Sequence, residues 1–221
     1  MLVGAVIFDM DGLMLDTEPL YRAAWQNAAA KCGYVISDAI YFRLIGRTRG
    51  DSEQILVDEF GHQFPISVFR SACQECETET FKAGPLPKKH GLDELLTFLD
   101  ARHIPKAVAT STVRQEAFQL LSSVGLLARF DVVTTGEEVA SGKPSPDIFV
   151  LAARRLGIDH SACLVLEDSE LGVIAAHRAE MKVFIVPDLK VPSESVTRLA
   201  NGTFNSLAAV TKYLELTVLS S

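Results

Sequence analysis

The chain reads as an α/β protein: a Rossmann-like three-layer core with a parallel sheet, plus a small α-helical cap inserted after the first strand. Three observations predict this. Short β-rich runs alternate with amphipathic helical stretches, which implies parallel strands joined by right-handed helical crossovers. The first crossover is far too long, with roughly ninety residues where a dozen or more suffice. The chemistry-bearing residues all follow a β-rich run, where ligands bind in open α/β sheets.

Taken in order, the first run covers residues 3–8, an unbroken apolar stretch suited to a strand covered on both faces. It leads directly into Asp9, Met10, Asp11 and Gly12. Side chains two apart in an extended segment share a face, so Asp9 and Asp11 can serve one site while Met10 turns away. Gly12 lets the backbone leave the sheet sharply. Helices are expected over 18–31, after an Asp16/Thr17 cap, and over 51–60 and 65–82, with Gly46 and Gly50 breaking the pattern between. They assign 17–84 to a cap domain and 1–16 with 85–221 to the catalytic core. A bundle above the strand ends would close over a ligand and exclude water.

The remaining strands are expected at 106–110, 131–134, 163–166 and 183–186, and the helices at 92–102, 114–124, 146–156 and 170–179, each with apolar residues three and four apart. The second strand ends at Thr110, followed by Ser111 and Thr112, a hydroxyl and backbone N–H cradle for an anion. After the third comes Lys143, held between the turn formers Gly142 and Pro144. The fourth runs into Glu167, Asp168 and Ser169. Each of these features alone is ordinary, a solvated strand end, a loop lysine or a helix cap. Their coincidence in this order points to one site.

At 221 residues, 48% hydrophobic and 22% charged, the chain can bury a good core. A formal charge of −7 without a Lys/Arg-rich run argues against nucleic acid or an anionic membrane as partner. A small phosphorylated metabolite remains. Four scattered cysteines and a start that reads as a strand lead to the expectation of a cytoplasmic protein with reduced thiols. Cys73 and Cys76 are i and i+3 neighbours without further zinc ligands nearby. Asn201, Gly202 and Thr203 match a glycosylation acceptor and read as a turn. No association stripe stands out, so a monomer or weak homo-oligomer is expected.

Converging carboxylates repel by about 4 kcal/mol per close pair at an effective dielectric near 20. A cation is therefore required. Hard oxygen ligands without histidine or thiolate suit Mg²⁺, which also binds substrate phosphate, and Lys143 would hold the other side of that phosphate.

Together these motifs resemble those of the haloacid dehalogenase-type phosphohydrolases with a helical cap after the first strand, and the resemblance covers essentially the whole chain. Asp9 to Gly12 resemble the first family motif, Thr110 the second, Lys143 the third, and Glu167 with Asp168 the fourth. The form Asp16, Thr17, Glu18 and the form Glu167, Asp168, Ser169 are similar to those of sugar-phosphate phosphatases and β-phosphoglucomutases. The resemblance implies that Asp9 is the nucleophile and that Asp11 protonates the leaving alkoxide and then activates water. It implies metal ligation by an Asp9 oxygen, the Asp11 backbone carbonyl and Asp168, with Glu167 close by. Thr110, the Ser111 N–H and Lys143 would hold the phosphoryl oxygens. Dehalogenases lack the second aspartate, which this chain keeps.

The cap is expected to recognise the rest of the substrate, through Gly46, Arg49 and Tyr21, with Arg47 and Thr48 as further candidates and Trp25 read as packing between cap helices. Arg49 matches an arginine by which mutases of this type hold a second phosphate, and would suit a hydroxyl-rich or a doubly anionic substrate. Tyr21 stands where the mutases have a histidine, and residues 74–77 contain no lysine. The expectation is an Mg²⁺-dependent phosphatase for a small phosphomonoester such as a sugar phosphate, with a β-phosphoglucomutase-like mutase as the alternative. A receiver-type signalling module would share the acidic residues and lysine but would lack the cap and half the length.

Overall fold

The strand that carries Asp9 lies in the middle of the sheet, not at its edge. The computed structural model describes residues 3–82 and 86–218. Among these the strands are β1 (Ala5–Phe8), β2 (Lys106–Thr110), β3 (Val132–Thr135), β4 (Cys163–Glu167), β5 (Lys182–Ile185) and β6 (Gly202–Thr203). They form one six-stranded sheet in the order β3-β2-β1-β4-β5-β6. Every pairing is parallel. The chain starts at β1, moves outward to β3, then returns to lay β4 on the other side of β1. Reversal of direction between β1 and β4 opens a crevice at their carboxyl ends.

Alternation along β1 sends Val6 and Phe8 into one core layer with Leu95, Leu99, Leu121 and Leu207. Ala5 and Ile7 enter the opposite layer with Phe149, Ala152 and Val173. Helices α5 (Leu92–Ala101), α6 (Arg114–Ser123) and α10 (Leu207–Val218) cover the first face, and α7 (Asp147–Leu156), α8 (Glu170–Arg178) and the short α9 (Glu194–Thr197) the second. These are the three layers expected.

Between β1 and α5 the described residues form α1 (Glu18–Lys31), α2 (Asp38–Tyr41), α3 (Arg49–Phe60) and α4 (Ile66–Lys82). They enclose an apolar cluster of their own. Ala24, Ala28 and Ala29 of α1 are buried in it and let α4 approach closely, while the Trp25 ring meets Phe69 edge-on at 5.6 Å. The insert leaves and re-enters the sheet layer through two paired segments. Asp16 N–H donates to the Pro87 carbonyl at 2.9 Å, and Lys89 N–H to that of Met14 at 2.8 Å. The Lys89 ammonium bonds Asp16 and Asp188 across this junction. The expected boundary at 84/85 lies outside the described residues, since neither 84 nor 85 is among them.

Four local expectations are corrected. Residues 201–203 are not a turn: Gly202–Thr203 forms β6, and Asn201 Oδ1 accepts from Val183 N–H at 2.9 Å, which splices the segment onto β5. Gly50 does not break a helix, because α3 starts at Arg49 under a Thr48 cap that accepts from Asp51 N–H. Thr17 occupies the N-cap position of α1 without making a cap bond, its hydroxyl being committed elsewhere. Helices α2, α9 and α10 add to those the periodicity predicts. No helix among the described residues is long and apolar enough to cross a membrane.

Candidate active site

Asp9 begins the site one residue beyond β1, its N–H held by the Leu166 carbonyl of β4 at 3.0 Å. Met10 turns into the core and is fully buried. Gly12 has φ +80°, and a Cβ there would stand 2.5 Å from Asp168 Oδ2, so both backbone conformation and space demand glycine. From β4, Glu167 and Asp168 arrive beside Asp9. The carboxylates of Asp9, Glu167 and Asp168 each offer an oxygen, all within 4.8 Å of one another.

Lys143, fully enclosed, reaches this cluster from the loop before α7. Its ammonium bonds Asp9 Oδ1, Glu167 Oε1 at 2.6 Å and the Ala109 carbonyl at 3.3 Å. Burial opposes the lysine's charge, but Asp9 and Glu167 outweigh it and hold its pKa above the usual range. Glu167 Oε2 accepts from the N–H and hydroxyl of Ser169, the N-cap of α8. This packing leaves no room beside it: a Cβ at Gly172 would lie 1.7 Å from Glu167 Oε1.

Asp11, two residues from Asp9, occupies different surroundings. Its carboxylate accepts from Thr17 at 2.8 Å, Thr112 at 2.7 Å and Thr110 at 3.3 Å. Burial raises its pKa although these three hydroxyls pull it down. Asp9 and Asp168 are also raised, by burial first and then by neighbouring carboxylates, against the pull of Lys143. Three acidic groups that resist ionisation so close together form a site deficient in positive charge. All-oxygen donors of this kind fit a hard divalent cation. Asp188 Oδ2, a buried atom without a hydrogen-bond partner, faces the same glycine loop at 3.2 Å from the Gly12 Cβ position.

Between the cluster and the cap lies a half-open cavity of about 110 Å³ that reaches from Asp9 to Trp25. Ser111 donates its hydroxyl to the Gly46 carbonyl at 3.2 Å, joining sheet layer and cap. Tyr21 donates to Glu116 Oε1 at 2.7 Å, and the Trp25 indole to Glu77 Oε1 at 3.1 Å. Arg49 Nη2 bonds both Glu77 at 3.1 Å and Glu116 at 3.4 Å. The structure thus gathers Asp9, Asp11, Thr110 and Asp168 at the cavity floor, with Lys143 and Glu167 buried next to Asp9, and Ser111, Gly46, Tyr21 and Arg49 on its walls. Trp25 does both jobs, packing on Phe69 and lining the cavity.

Sequence reading missed Glu77 and Glu116 as site residues, and Thr17 and Thr112 as partners of Asp11. Thr112 had a signal, since it stands two residues beyond Thr110 in a run of hydroxyls. Glu116 reads as an acidic residue in the first turn of α6, where the helix dipole accounts for it. Glu77 looks like its exposed neighbour Glu75 until α4 is packed.

The sequence profile of the haloacid dehalogenase-like hydrolases matches residues 6–186, from β1 through the end of β5. The chain is a haloacid dehalogenase-like hydrolase. This hydrolase is 35% identical over 175 residues to a phosphorylated carbohydrates phosphatase of Thermotoga maritima, covering 79% of this chain and 81% of the relative. It is 32% identical over 178 residues to the fructose-1-phosphate phosphatase YqaB of Escherichia coli, covering 80% and 92%. Among solved structures, CbbY of Rhodobacter sphaeroides in complex with xylulose-(1,5)bisphosphate superimposes with a TM-score of 0.81 at 27% identity, over 93% of this chain and 95% of CbbY. The hydrolase is thereby an enzyme of the phosphoric monoester hydrolase class.

Proposed function

We propose that this hydrolase is an Mg²⁺-dependent phosphatase that releases phosphate from a small phosphomonoester, a sugar phosphate, through an aspartyl-phosphate on Asp9. The observation that carries this reading is the divided environment of the two aspartates. Asp9 lies against an ammonium and two further carboxylates, whereas Asp11 is ringed by three hydroxyls. One is arranged as a nucleophile, the other as a proton carrier.

Asp9, Asp168 and Glu167 are the side chains that would hold the metal, which when bound neutralises the carboxylates and phosphoryl oxygens. The protein's own groups do the rest. An Asp9 oxygen attacks phosphorus in line as the bond to the leaving oxygen breaks, and Asp11 delivers its proton to that oxygen. Asp11, now a carboxylate, takes a proton from water whose oxygen attacks phosphorus, and the bond to Asp9 breaks. Inorganic phosphate leaves, Asp9 is restored as a carboxylate and Asp11 carries the proton. Lys143 holds phosphoryl charge throughout, and its raised pKa keeps it protonated to do so. Thr110, whose hydroxyl bonds Asp11, and the N–H of Ser111, which lines the cavity, would complete the cradle.

The test is phosphate release from a generic phosphomonoester with magnesium, against Asp9→Asn. Wild type is expected to turn over and the variant to fall to background. Equal slow release by both sinks the proposal.

A further inference from the structure

We infer that the chamber above Asp9 selects a leaving group bearing hydroxyls and no second anionic group, and that Glu77 and Glu116 are the residues enforcing this choice. The inference rests on the phosphatase reading and names its substrate class: the monophosphate of a neutral polyol, with bisphosphates and phosphorylated acids disfavoured.

Arg49 is the residue that a second phosphate would seek, and its guanidinium is already committed. Glu77 and Glu116 approach it from two sides, one from the cap helix α4 and one from α6 of the sheet layer. Each carboxylate is also fixed from behind, Glu77 by the Trp25 indole and Glu116 by the Tyr21 hydroxyl. A second phosphate would have to part Arg49 from both while lying against them in a half-open chamber, where like charges repel. Arg47, the other guanidinium of the lining, donates its Nε to the Arg43 carbonyl, and Glu18 lines the same chamber. Glu18, Glu77 and Glu116 thus face two arginines, so the fully ionised wall carries no net positive charge.

Hydroxyl groups meet the opposite reception. Each carboxylate oxygen offers two lone-pair directions and the recorded bonds use only part of them, so acceptors remain for donors on the ligand. Trp25 and Tyr21 supply apolar surface for the carbon skeleton. The bisphosphate in the CbbY complex belongs to a protein of the same fold. Discrimination between the two kinds of substrate therefore lies in the chamber's charge balance, not in the fold.

The experiment compares kcat/KM for fructose 1-phosphate, fructose 6-phosphate and fructose 1,6-bisphosphate, with p-nitrophenyl phosphate as the generic substrate and magnesium present. The better monophosphate is expected to exceed the bisphosphate by tenfold or more, and Glu77→Gln and Glu116→Gln are each expected to narrow that ratio severalfold. For any sugar phosphate not turned over, its inhibition constant against p-nitrophenyl phosphate supplies the same ranking. A bisphosphate preferred or equal in wild type overturns the inference alone, as does a ratio unchanged in both variants. If a variant does not fold, the wild-type ranking decides. Absence of release from every compound, the generic one included, overturns the phosphatase reading and the inference with it.

Discussion

The floor and the ceiling of the cavity are built from the same residue types and are balanced in opposite ways. At the floor, Asp9, Glu167 and Asp168 cluster beside one ammonium, that of Lys143, which bonds the first two, and burial raises the pKa of both aspartates. At the ceiling, Glu77 and Glu116 share the Arg49 guanidinium and are further held by an indole and a hydroxyl. Buried charge is costly unless compensated. The floor, left short of compensation, is where a cation would fit; the ceiling draws part of its compensation from its own arginine, indole and hydroxyl and leaves hydrogen-bond acceptors for a ligand.

The largest effect that would break this contrast is at Asp11. Asp11→Asn is expected to lower phosphate release from an alkyl phosphate by about 10²–10⁴-fold, the range for a general acid–base group. With p-nitrophenyl phosphate, whose leaving group needs no proton, the initial release of nitrophenolate should suffer much less. Equal losses on both substrates would remove Asp11 from the proton-carrying role.

Metal removal probes the floor directly. Chelation is expected to abolish turnover and magnesium to restore it. Magnesium at about 100 times its dissociation constant should also stabilise the fold by about 2.7 kcal/mol, read as a rise in Tm. A Tm indifferent to magnesium would mean that the carboxylates do not bind it.

A smaller effect is expected at Gly172, where an added Cβ meets Glu167 Oε1 at 1.7 Å. Gly172→Ala should displace Glu167 from Lys143 and cost about 1–3 kcal/mol of stability by overpacking, measured by denaturant unfolding. Unchanged stability together with unchanged kcat would show that Glu167 is free to move.

The smallest effect belongs to the ceiling. Burial and the neighbouring Glu77 push Glu116 from 4.5 up to about 7, so the folded state binds its proton more tightly than the unfolded chain does. The sign follows from linkage: this contribution is fully present below pH 4.5 and is lost as pH rises through 7. Glu116→Gln should flatten that part of the Tm profile between pH 4.5 and 7 in the metal-free protein. An unaltered slope would remove Glu116 from the buried network.

Legibility in the sequence followed the range of the interactions concerned. β2 and α1 were readable to the residue because an apolar run and a 3.6-residue period are local properties. β6 was not, since two residues carry no period and Gly202–Thr203 is a strand only because β5 lies beside it. Thr17 shows a finer version of the same limit. Its type and place suit an N-cap, yet Asp11, brought near by the Gly12 turn, takes its hydroxyl instead.

By itself the sequence determined the order of five strands and seven helices, the cap inserted after the first strand, and the placing of Asp9, Asp11, Thr110, Glu167 and Asp168 at strand ends with Lys143 in the loop after the third strand. Those features depend on periodicity and chain order, which are written residue by residue. Only the tertiary structure decided how charge is shared around the cavity: Lys143 between Asp9 and Glu167, and Arg49 between Glu77 and Glu116. The Arg49 partners stand 28 and 67 positions away from it. Electrostatic compensation acts through space, and two glutamates that look like solvated helix faces become the wall of a site once α4 and α6 are folded against the same arginine.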